Sequence, residues 1–221
     1  MCKREARRRE VRVLKHGRAR DAIGSIEAGF EVYVVSMGQF SLIDVLGVVL
    51  EQTGPADVDL CTWTVEGADL ERMAVLQSRG LLRSARWILD RSWRGRRPEC
   101  YDRLIELFGP DSLRMCSSHA KFIAVRNGRW NVAVRTSMNL NENRRMEHIE
   151  IGDDPALCGF LGDVTGAIFD ERLPGTVAGG CPDLEAIKNS KIDGMLTCKR
   201  LVAPRISAGI ATAKRLEVGP R

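Results

Sequence analysis

The chain reads as an α/β protein with a mixed, largely parallel β-sheet sandwiched between helices. Three observations predict this class. Up to residue 109, β-branched apolar runs alternate three times with stretches whose apolar residues recur at helical spacing. Each helical stretch closes on glycine, twice followed by proline. From residue 113 the rhythm changes to short strands with little chain between them, and Asn127-Gly128 marks a hairpin. Strands that alternate with helices belong to a sheet covered on both faces.

In order, "FEVYVVSM" (30–37) predicts a strand and "SLIDVLGVVLEQTG" (41–54) a helix stopped by Gly54 and Pro55. "DVDLCTWTV" (57–65) and "ADLERMAVLQSRG" (68–80) repeat the unit. "SARWILD" (84–90) is the third strand; the basic loop "RSWRGRRPE" (91–99) leads from it into a helix, "CYDRLIELFG" (100–109). "LRMCSS", "AKFIAV", "WNVAV" and "HIEI" then read as strands. A closing helix over 154–173 takes Asp153 or Asp154 as its cap and places Leu157, Phe160, Leu161, Val164 and Ile168 on one face.

Composition bounds the rest. A chain of 221 residues, 44% hydrophobic, buries one substantial core and is short for two large domains. The expected division is a basic arm at 1–28, an α/β domain at 29–173 and an interaction tail at 174–221, where glycine, proline and isolated charges take over. The longest apolar run, at 45–50, falls far short of the roughly 20 residues of a bilayer span, and the charged start does not resemble a secretory signal, so a cytoplasmic protein without membrane attachment is expected. Seven cysteines, scattered singly, predict neither a disulfide framework nor a zinc knuckle but reduced thiols that fill the core.

The net charge is +5, and its excess sits at the start: Lys3, Arg4, Arg7, Arg8, Arg9, Arg12, Lys15, Arg18 and Arg20 are opposed only by Glu5 and Glu10. Such a cluster suits either a polyanion or a solvated tail. Arg91, Arg94, Arg96 and Arg97 around Trp93 form a second basic group, in which phosphate contacts and one stacking contact are expected together; Arg144 and Arg145 form a third. Trp63, Trp87, Trp93 and Trp130 are too dispersed for a base-stacking platform and read mainly as core or interface residues.

Histidine occurs only at 16, 119 and 148. His119 and Lys121, one residue apart in a predicted strand, point to the same face and make a phosphate pocket. Ser137 and Asn139 share a parity after the next strand, where a hydroxyl and a carboxamide reach the same oxygens. Glu147 is placed to hydrogen-bond an imidazole and fix its tautomer. His148, of opposite parity, reads as structural or exposed.

"HAK" (119–121), "TSMN" (136–139) and "ENRRMEHIEI" (142–151) together resemble the phospholipase D superfamily signature, in which HxK and four residues precede an aspartate and a GSxN element with a downstream glutamate follows. Small single-motif bacterial and phage nucleases are the nearest type. The resemblance implies phosphodiester transfer without a metal or other cofactor: a phosphohistidine forms, a second histidine protonates the leaving oxygen, and water releases the product. With one motif per chain, it also implies a homodimer whose second copy supplies that histidine. Two positions differ from the signature. Arg126 stands where the aspartate is expected, and Thr136 replaces the first glycine of GSxN, where a β-carbon is expected to narrow the pocket. The leading expectation is therefore a nuclease acting on DNA or RNA. The alternative is a nucleic-acid-binding protein that keeps the fold without turnover; a phospholipid hydrolase is weaker, because no amphipathic membrane helix is evident.

Overall fold

The computed structural model describes residues 8–13, 17–141 and 144–171. The tail expected at 174–221 lies outside the described residues, as do Lys3, Arg4, Arg7, Lys15 and His16.

The elements follow the predicted alternation. Strand β1 (Arg8–Val13) and a short helix α1 (Ala19–Ile23) precede β2 (Phe30–Ser36) and α2 (Leu42–Thr53). Then come β3 (Ala56–Thr62), α3 (Gly67–Ser78), β4 (Leu82–Asp90), a single turn α4 (Trp93–Arg96) and α5 (Pro98–Phe108). The meander is β5 (Leu113–Cys116), β6 (Phe122–Arg126), β7 (Asn131–Thr136) and β8 (Glu147–Asp153), closed by α6 (Pro155–Glu171). Asp154 caps α6 by accepting the Leu157 N–H at 3.0 Å. Helix α2 starts in a capping box between Ser41 and Asp44, and α2 ends at Gly54, whose φ of +80° a β-carbon would strain.

The sheet order is β1-β2-β8-β7-β6-β3-β4-β5. Strands β1, β2, β7, β3, β4 and β5 run one way and β8 and β6 the other, so the sheet is mixed and largely parallel in direction, as expected. Two cores lie on its two faces. Val58, Leu60, Leu89, Ile123 and Val134 point into the larger one with α2 and α3; the alternate residues Cys61, Ile88, Ala124 and Ala133 meet Cys158, Leu161 and Ile168 of α6. The described cysteines 61, 100, 116 and 158 are buried free thiols.

One expectation about the fold is corrected. Residues 8–13, assigned to an arm, form an edge strand paired in parallel with β2, and Arg12 bonds the Ala22 carbonyl at 3.0 Å and Glu10. A strand with four charged residues among its six, Arg8, Arg9, Glu10 and Arg12, reads as polar chain until its partner is known. The hairpin falls at Asn127-Gly128 as expected: its loop spans residues 127–130, with Asn127 Oδ1 accepting the Arg129 and Trp130 N–H groups at 2.9 and 2.8 Å.

Arg126 stands where the signature has its aspartate. It leaves the sheet beneath α6, where with Arg86 it clasps Asp59, 2% exposed in its side chain; the two Arg86 bonds measure 2.7 and 2.8 Å. A β-carbon on Gly162 of α6 would collide with the Arg126 guanidinium. The position is thus a structural post between sheet and helix, with the acidic partner supplied by β3.

Candidate active site

The carboxyl ends of β2, β7, β3, β4 and β5 and the amino ends of β6 and β8 meet along one edge of the sheet. Ligands of open α/β sheets bind outside such an edge. The predicted catalytic residues all gather there. His119 and Lys121 lie in the loop from β5 to β6, not within the strand, because pairing of β6 with β3 begins only at Phe122 opposite Cys61. They still face each other. Lys121 Nζ donates to the His119 carbonyl at 2.8 Å and lies 3.4 Å from His119 Nδ1. An ammonium can only donate, so Nδ1 is the accepting nitrogen in this geometry.

The loop is braced from below. Asp90, at the end of β4, accepts the Ser118 N–H at 3.2 Å and the Ser92 N–H at 3.0 Å, and the Ser92 hydroxyl also bonds it. Burial disfavours its charge, but these donors with nearby Arg96 outweigh that and hold the carboxyl below its ordinary range. The Ser118 hydroxyl accepts the Ala120 N–H at 3.2 Å and sits 3.4 Å from the Cys61 thiol. Burial pushes that thiol up to about 12, so Cys61 is a neutral floor rather than a nucleophile.

Across the edge, the Ser137 hydroxyl bonds the Glu147 carboxylate and accepts the His148 N–H at 3.1 Å. Glu147 therefore orients Ser137. Asn139 Oδ1 accepts the Thr62 hydroxyl and the Trp63 N–H, both at 3.3 Å, which leaves its Nδ2 hydrogens for a ligand. Thr136 does not narrow the site. Its side chain is buried, with Oγ1 donating to the His148 carbonyl at 2.7 Å and accepting the Met138 N–H at 3.0 Å. Desolvation lowers the Lys121 ammonium from its ordinary value, partly offset by Glu147.

The basic residues divide. Arg96 lies over the Trp63 ring at 3.8 Å, while Arg94 covers Tyr101 at 4.4 Å and Arg97 pairs with Glu66 at 2.8 Å. Arg91, Arg144 and Arg145 are exposed. Trp93, expected to offer a stacking face, is fully buried and donates its indole N–H to the Val65 carbonyl at 3.1 Å. Trp63 takes that place: half-buried, it sits against His119 with ring centroids 5.9 Å apart. The sequence reading missed Trp63 and Asp90. Their signal was position, each at the carboxyl end of a predicted parallel strand. His148 is exposed and stacks on Tyr33, with centroids 5.9 Å apart.

No protein-family model matches the sequence, and no curated protein matches it. The structure is similar to that of Nuc, a phospholipase D family member from Salmonella typhimurium: TM-score 0.48, 15% identity, covering 59% of this chain and 88% of that one. It is also similar to NucT from Helicobacter pylori, with TM-score 0.48, 12% identity and coverage of 65% and 99%. Polyphosphate kinase from Porphyromonas gingivalis is similar over 67% of this chain but 27% of its own length, with TM-score 0.44 and 11% identity. These are likenesses of fold.

Proposed function

We propose that the chain is a metal-independent phosphodiesterase of the phospholipase D type, cleaving DNA or RNA through a phosphohistidine at His119 in a homodimeric site. The observation that carries this reading is the His119–Lys121 pair, an exposed imidazole with an ammonium 3.4 Å from its ring nitrogen, at the sheet edge where ligands bind. Ser137 and Asn139 close the same edge. Phosphate draws the Lys121 ammonium and the Asn139 amide hydrogens onto its nonbridging oxygens, which frees the His119 lone pair.

An imidazole nitrogen of His119 then attacks phosphorus. The N–P bond forms as the P–O bond to the leaving strand breaks, and the leaving oxygen takes a proton from the second copy's His119. Water next attacks phosphorus and gives its proton back to that second imidazole while the N–P bond breaks. Ser137, aligned by Glu147, and the exposed cations Arg91, Arg144 and Arg145 hold the strand by its phosphates, with Arg94, Arg96 and Arg97 beside them.

The test is incubation with labelled single- and double-stranded DNA and RNA in excess EDTA, beside His119→Ala, with acid-labile phosphoprotein followed in parallel. Cleavage and trapped phosphate in the wild type alone are expected. Cleavage that survives His119→Ala removes the proposal.

One observation favours the second reading, a nucleic-acid-binding protein without turnover: Arg126, standing where the signature has its aspartate, is committed with Arg86 to the buried Asp59 beneath α6. Salt-sensitive binding with no product in either protein is its signature.

A further inference from the structure

We infer that Trp63 and Arg96 form a stacking subsite for one unpaired nucleobase beside the scissile phosphate, so that the site takes single-stranded nucleic acid. The inference rests on the phosphodiester reading above. Trp63 is the first residue past β3, and its backbone is held on both sides: its N–H donates to Asn139 Oδ1 at 3.3 Å and its carbonyl accepts Arg96 Nη2 at 3.2 Å. The indole is therefore set by the same carboxamide whose remaining hydrogens face the ligand. Its ring adjoins His119 at 5.9 Å between centroids, so a base on this tier lies beside the phosphate that His119 meets.

Arg96 completes the tier. Its guanidinium lies 3.8 Å from the indole centroid and is held in plane by Nε to the Ser92 hydroxyl at 3.2 Å and Nη2 to the Trp63 carbonyl. Arg96 is nonetheless exposed, so part of the tier is open to a ligand. A guanidinium already seated over an indole, on an exposed side chain, is a platform for a base: cation–π and stacking terms act on every base without reading its edge. Of the loop's other arginines, Arg94 is engaged on Tyr101 and Arg97 with Glu66. A paired base inside a duplex cannot present its face to this tier while its phosphate reaches His119. Strandedness is then set by Trp63 and Arg96, with no base specificity.

The experiment is fluorescence anisotropy of the full-length His119→Ala protein, which leaves the oligonucleotide intact where EDTA would not, since the proposed reaction needs no metal; the labelled ligands are a single strand, its duplex, and single strands carrying one abasic site at successive positions. With Trp63 present, this protein is expected to prefer the single strand and to bind one abasic strand about ten-fold more weakly. Adding Trp63→Leu should weaken binding of the intact strand about ten-fold, remove the abasic effect and keep the salt slope; Trp63→Phe should recover part of the loss. Equal binding to strand and duplex, or to intact and abasic strands, with Trp63 present overturns the inference. So does a Trp63→Leu protein that still senses the abasic site. Cleavage is read separately on the protein with His119 intact, so its absence beside an intact abasic effect would sink the nuclease reading alone, and cleavage without that effect would sink the stacking subsite alone.

Discussion

Single side chains around His119 divide into those that face a ligand and those that hold the loop. Lys121 faces the ligand at a cost to the fold. Its ammonium is desolvated, so its folded value lies below the ordinary 10.5, and the charged form is disfavoured in the native state. That cost is fully present below the lowered folded value and is relieved as pH rises through it toward 10.5, since the unfolded chain then binds more protons than the native one. Lys121→Met should therefore raise the denaturation midpoint at neutral pH, narrow its advantage as pH approaches 10.5, and abolish cleavage; an unchanged midpoint at both pH values would contradict this. Asp90 acts through the loop. Asp90→Ala should lower kcat more than KM, because it releases Ser118 and Ser92 together without touching phosphate, and steady-state kinetics decide it. His119, Lys121, Ser137, Asn139 and Glu147 were legible as a group in the sequence because motif spacing carries them to one edge. Their partners were not: that Glu147 bonds Ser137, and that Trp63 rather than Trp93 meets the site, depends on how β3 and β8 end in space.

Among elements, α6 depends on a charged contact that its apolar face does not reveal. Asp59 of β3 is almost fully buried between Arg86 and Arg126, so its removal strands two guanidinium groups under the helix. Asp59→Ala should cost about 3–5 kcal/mol in urea titration, and adding Arg126→Leu should recover part of the loss. Asp154→Ala should cost about 1 kcal/mol through the lost cap, measured the same way. Nearly every strand and helix was legible, since burial on two sheet faces writes continuous β-branched runs and burial on one helix face writes a 3.6-residue period. Strand β1 was not, because four of its six residues are charged and only its pairing with β2 makes it a strand. The single turn α4 was also hidden, for "WRGR" carries no helical period and is fixed by the burial of Trp93.

At the level of the whole molecule, the proposed reaction needs two imidazoles from two copies. Adding His119→Ala protein to wild type at fixed wild-type concentration should lower cleavage through mixed dimers, whereas a monomeric enzyme would be unaffected; sedimentation on the same mixture reports the assembly. The order of the sheet was beyond the reach of sequence pattern, which locates strands but not their neighbours. That order has a temporal meaning. Strand β8 (Glu147–Asp153) lies between β2 and β7, so the first two strands synthesised join the other five only through the last one. A chain halted on the ribosome before residue 147 holds β1 and β2 as a pair with one open side, and the edge that carries His119 is incomplete at its Glu147 end. Closure of the sheet and assembly of the reactive edge are then one late event, set by the arrival of a single strand.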